Sequence, residues 1–118
     1  MVSEKFAKEK PEAVKGLLRA IMKGVQDTVK DPVSAVDSVI KRNDVAKKDV
    51  ELERLKMVLE QNMITPYVKE KGFGGIDKER FAKSLDQIGL TFTYKVKPTV
   101  EDVFTEEFLP PADQRKVN

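Results

Sequence analysis

The sequence predicts a mainly α-helical chain of about five or six helices with at most one or two short strands. Three observations predict it. Val14, Leu17, Leu18, Ile21, Met22, Val25 and Val29 recur at helical spacing over about five turns. Helix-start chemistry returns along the chain, at Pro11, Asp31-Pro32 and Asp77. Only one segment, Leu90 to Val96, alternates with the two-residue period of a strand.

In chain order, Ser3 is placed to cap a short first helix through Phe6 and Ala7, which Lys10-Pro11 ends because proline disfavours the α conformation in the residue before it. Pro11 opens the second helix, whose seven apolar residues draw a single buried stripe. Beside it run Ala13, Gly16, Ala20 and Gly24, small residues expected to let another element approach closely. Asp31 caps and Pro32 opens a third helix, with Val36, Val39 and Ile40 inward and Asn43 at its end. Asp49 is read as the cap of a fourth helix that buries Leu52, Leu55, Val58, Leu59 and Met63; Thr65-Pro66 is a break. Met22, Met57 and Met63 fit core positions and call for no cofactor.

Three glycines in four residues make Gly72-Phe73-Gly74-Gly75 a flexible turn. It lacks the Lys-Ser/Thr of a phosphate loop and the spacing of a dinucleotide fingerprint. Asp77 starts the next helix inside a hydrophobic staple of Ile76 and Phe81, with Phe81, Leu85 and Ile88 facing the core. Gly89 is assigned the left-handed position of a Schellman cap. The alternating segment that follows is either an ordered loop or a strand whose partner lies outside the chain, since the only other extended candidate is Met1-Val2. Thr99 to Asp102 resembles a capping box, Phe104, Phe108 and Leu109 anchor the segment before Pro110-Pro111, and Ala112 to Asn118 is expected to fray. The organisation is thus one helical unit, 1–111, and a flexible tail, 112–118.

Composition narrows the chemistry. The chain has 118 residues, enough for one domain, with 22 Lys and Arg against 20 Asp and Glu; the two signs alternate rather than forming the basic stripe that phosphate backbones require, so no nucleic-acid partner is expected. There is no His and no Cys. That removes the usual general base and thiolate or imidazole metal ligation, and no metal site or cofactor is expected. Glu106 with Glu107 and Asp44 with Asp49 are read as solvated carboxylates, and Ser34, Ser38 and Ser84 as helix-surface residues with no nucleophile elbow around them. No catalytic residue is assigned and the chain is not read as an enzyme. No apolar run reaches the ~18 residues of a membrane span, and the charged N-terminus is unlike a signal peptide.

Five segments, FAKEKPEAV at 6–14, LLRA at 17–20, DPVSAV at 31–36, GIDKERF at 75–81 and VFTEEFLP at 103–110, together resemble the periplasmic solute-binding proteins of ABC importers that take nitrate, sulfonates, taurine and thiamine-pyrimidine precursors. The resemblance covers nearly the whole chain, and the order of the segments is more specific than any one of them. It implies the C-terminal part of a two-lobed α/β fold, in which a small solute sits between the lobes and closure is presented to a permease. It also implies a periplasmic or lipid-anchored extracellular location, a signal segment outside this chain, and ligand contacts supplied mainly by the remainder of the protein, so no ligand-binding residue is assigned here. Related fungal enzymes that make the thiamine pyrimidine rely on His and Cys, which this chain lacks. A second reading makes the chain a stand-alone helical module that self-associates through its apolar stripe or its unpaired strand, an association a fragment expressed alone would also show.

Overall fold

The computed structural model describes residues 2–117. It is mainly helical, 66% helix, with seven α-helices and no strand among the described residues. They are α1 (Glu4–Glu9), α2 (Pro11–Lys30), α3 (Pro32–Ile40), α4 (Lys48–Val58), α5 (Pro66–Lys71), α6 (Lys78–Gly89) and α7 (Val100–Val103). A π-helical turn, Leu59–Met63, extends α4, and a 3-10 turn, Ala112–Arg115, closes the chain.

The caps explain most boundaries. Ser3, Asp31, Thr65, Asp77 and Thr99 each accept a hydrogen bond from the backbone N–H three residues on, satisfying a donor that the first helical turn leaves free. Thr99 and Asp102 form the full reciprocal box. Single residues make two corners: Lys10 ends α1 and begins α2, and Asp31 ends α2 and begins α3, each followed by a proline at the first helical position.

Several boundaries differ from the sequence reading. Asp49 lies inside the first turn of α4, where its charge faces the helix dipole; the cap position is Lys47, without a side-chain bond. Thr65-Pro66 is both a break and the start of α5. Gly89 is the last residue of α6 and has no positive φ: the helix tightens instead, with the N–H groups of Leu90 and Thr91 reaching the carbonyls of Gln87 and Ile88. Leu90 to Val96 is an irregular loop, and residues 93 to 98 make no backbone–backbone hydrogen bond among those described. Of the Met1-Val2 candidate, Met1 lies outside the described residues and Val2 is exposed without regular structure. In the fourth helix Leu59 is buried, Leu52, Leu55 and Met63 are half-buried, and Val58 and Met57 are exposed. The wide turn closed by the Ile64 N–H on the Leu59 carbonyl, 2.8 Å, breaks the 3.6-residue register there.

α1, α2, α3 and α4 pack in sequence, each on the next, while α6 packs on α7. Lys48 pairs with Asp37 to tie α4 to α3. The core is small: Val14, Met22, Val36, Leu59, Leu85 and Val117 are its buried apolar side chains among the described residues. The radius of gyration, 17.2 Å, exceeds the ~13.5 Å of a compact chain of this length. The accessible surface is 9281 Å², against roughly 6,500 Å² for a compact monomer of 13.4 kDa.

Candidate functional site

Two kinds of feature stand out, a polar clasp that holds the C-terminal segment and apolar surfaces that no part of the chain covers. The clasp begins at the glycines. Gly72 has φ +84° and ψ 159°, a conformation essentially reserved for glycine, and Gly74 has φ +91°. A Cβ at Gly72 would meet the Ala112 carbonyl oxygen and the Arg115 Cβ at 3.0 Å, and one at Gly74 would meet the Leu109 side chain at 3.3 Å. The absence of side chains is therefore what admits the C-terminal segment.

Across that surface the Phe73 N–H donates to the Arg115 carbonyl at 2.8 Å, and Arg115 Nη1 donates back to the Phe73 carbonyl at 2.9 Å. Arg115 is buried; its Nη2 lies 3.9 Å from Glu106 Oε2, and its Nε has no partner. From the other side, Gln26 Nε2 on α2 donates to the carbonyls of Gln114 and Lys116, both at 3.0 Å. Val117 is only 2% exposed. Residues 112–117, read from sequence as a tail, thus link α2 to the glycine turn, and that turn is a hydrogen-bonded seat. Neither role carries a periodic signal. The clue was positional: three glycines, and an Arg and a Val after the double proline.

The residues weighed for chemistry are dispersed. Asp44 is exposed within the connection from α3 to α4 and Asp49 is exposed in the first turn of α4, Glu106 faces Arg115, and Glu107 is exposed. Ser38 and Ser84 each donate to the carbonyl four residues back, a helix-surface arrangement. Every shifted carboxylate moves down: Glu4, Glu12 and Glu70 by hydrogen bonds from Lys8, Lys15 and Lys71, and Asp102 by the Thr99 N–H and hydroxyl. Lys8, Lys71 and Lys97 move up through Glu4, Glu70 and Asp86. These directions hold each group in its charged form, away from the neutral-pH tuning of acid–base catalysis. No group of His, Cys, Asp and Glu among the described residues is arranged to hold a metal ion. Among the described residues no helix is long and apolar enough to cross a membrane.

The cavities are open grooves. One of about 450 Å³ lies at the α2–α3 corner along Asp27, Lys30, Asp31, Ser34 and Ser38; another of about 260 Å³ lies where Val29 and Lys30 meet Lys116 and Val117. The apolar exposures are more distinctive. Leu90 and Val96, in the irregular loop, are 86% and 84% exposed, and Phe92 between them is exposed too. On α2 the expected single stripe is split: Val14 and Met22 are buried and Leu18, Val25 and Val29 half-buried, whereas Leu17 and Ile21 are 54% and 49% exposed. Apart from the helix's own nearby backbone and the adjoining residues, no described atom lies within 4 Å of a Cβ built on Gly24, and one built on Gly16 meets the flexible end of Arg19 at 3.7 Å.

Comparison with protein-family models, curated proteins and solved structures finds no match to this chain.

Proposed function

We propose that the chain is a non-catalytic helical scaffold completed by further protein, namely the C-terminal segment of a substrate-binding protein that feeds an ABC importer. The observation that carries the scaffold reading is the surface: the folded chain exposes roughly 2,800 Å² more than a compact monomer of its mass, and that excess includes large apolar side chains. A surplus of this size exceeds what a standard protein–protein interface hides on one partner, roughly 800 Å². It fits a segment whose core is finished by a larger body.

The loop from Leu90 to Val96 supports the same reading. Its apolar residues alternate in sequence and the backbone from 93 to 98 is unpaired, so it is suited to joining the edge of a sheet supplied by the remainder. The importer, the export to the periplasm or outer face, and the solute, small and anionic or pyrimidine-like, rest on the five-segment resemblance. In this role the clasp fixes the helices while ligand contacts come mainly from the other lobe surfaces.

An antibody raised against this chain tests the reading on fractionated cells. The expected band is a polypeptide of roughly 30 kDa or more in the exported fraction, since two lobes need ~100–200 residues each. A 13.4 kDa species confined to the cytosol would sink it.

A further inference from the structure

We propose that the seat of residues 114–117 is a peptide-accepting groove, filled here by the chain's own C-terminal strap, and that it takes instead a segment of another polypeptide with an Arg and an aliphatic residue two positions on. The strap shows what chemistry the groove accepts. Arg115 and Val117 are 7% and 2% exposed, whereas Gln114 and Lys116 are exposed, so alternate side chains point in and out. The backbone is a 3-10 turn, Ala112–Arg115, that opens into an extended residue at Lys116, φ −70° and ψ 137°.

Three of the four hydrogen bonds that hold the strap end on its main chain. Gln26 Nε2 donates to the carbonyls of Gln114 and Lys116, and the Phe73 N–H donates to that of Arg115; the fourth runs from Arg115 Nη1 to the Phe73 carbonyl. Bonds to carbonyls are open to any sequence, so selectivity falls to the two buried side chains, the division of labour general in peptide recognition. The strap is also a replaceable occupant. Arg115 Nε is buried without an acceptor, and Nη2 lies 3.9 Å from Glu106 Oε2, beyond hydrogen-bond reach, so a buried cation is held incompletely. Beside Val117 an open groove of about 260 Å³ runs along Gln26, Val29 and Lys30, which leaves room among the described residues for a larger aliphatic side chain. The occupant is thus held through bonds that any peptide offers, and it fits less than fully. The proposal does not depend on the importer reading.

The test is an NMR titration of the isotope-labelled 118-residue chain with an unlabelled synthetic peptide of residues 110–118. The chain's own Arg115 and Val117 amides are expected to move to free-peptide positions while the Phe73 amide and the Gln26 side-chain amide stay bonded. The midpoint is expected on the order of 1 mM, because an identical segment competes with the effective concentration of the tethered strap. Peptides with Arg115→Ala or Val117→Ala are expected to need at least about tenfold more for the same displacement. In full-length Val117→Asp, whose own strap is expelled by the buried charge, the wild-type peptide is expected to bind at least about tenfold more tightly than to the wild-type chain, with helical circular dichroism retained. Where that variant does not fold, the wild-type titration decides by itself. Strap amides unmoved at about ten times the expected midpoint, equal displacement by the alanine peptides, or no tighter binding by folded Val117→Asp each overturns the proposal. A dimer in light scattering with exchanged straps assigns the seat to a second copy and overturns it too. None of these results bears on the cell-fractionation experiment.

Discussion

The α2–α3 corner and the C-terminal clasp hold their backbones by opposite means. At the corner every decisive contact is local: Asp31 accepts from the Ser34 N–H three residues on, Pro32 supplies the first helical φ, and Asp31 donates its own N–H to the Asp27 carbonyl. At the clasp the partners are remote in sequence, with Phe73 bonded to Arg115 and Gln26 to Gln114 and Lys116. The corner needs only its own few residues in order, whereas the clasp needs three separate segments to arrive together. One is consequently specified by residue type and the other by shape. Damage should reflect this, staying confined at the corner and spreading across the molecule at the clasp.

The largest effect is expected at Gly72. Gly72→Ala places a Cβ 3.0 Å from the Ala112 carbonyl in a conformation that only glycine adopts readily, and should cost roughly 3 kcal/mol in urea denaturation. It should also raise amide exchange at Phe73, Gln114 and Arg115 together; a change limited to the glycine turn would break the contrast. Val117→Ala removes two buried methyl groups and should cost about 2 kcal/mol, with exchange rising on α2 near Gln26 as well as in the tail.

At the corner, Asp31→Ala should cost about 1 kcal/mol by loss of the cap, with exchange rising only in the first turn of α3. Protection lost at the clasp in that variant would show that the two regions are coupled. The smallest expected effect is a pH dependence at α7. Asp102 accepts from the Thr99 N–H and hydroxyl, 2.8 Å each, which lowers its pKa in the folded state. A depressed carboxylate contributes stability above its unfolded pKa and loses it as pH falls through the folded value, so α7 should stay capped at pH 7 and fray only below the usual aspartate value of about 3.9. The Thr99 amide shift, followed by NMR from pH 7 to pH 2, reads this; a midpoint at or above that value would remove the box as the cause.

Much of the helical framework was legible because its signals are short-range. Ser3, Asp31, Asp77 and Thr99 cap where their residue types and following positions say they should. The exceptions have physical reasons. Asp49 offers the same side chain as Asp31, but the helix begins two residues earlier and turns it into a dipole partner. Gly89 permits a left-handed cap without requiring one, and α6 closes by a tighter turn. On α2, periodicity grouped Leu17 and Ile21 with Met22, yet a helix has two sides and the pattern does not say how many neighbours arrive.

By itself the sequence determined a mainly helical chain, the places where most helices begin, and the lack of His and Cys chemistry. Each follows from side-chain type and spacing within a turn or two. Only the tertiary structure decided that residues 93 to 98 make no backbone–backbone hydrogen bond among those described, that Leu17 and Ile21 of the α2 stripe face outward, and that the segment around Arg115 meets both the glycine turn and Gln26. Those outcomes depend on which distant surfaces come together, and a surface left uncovered has the same composition as one that is filled.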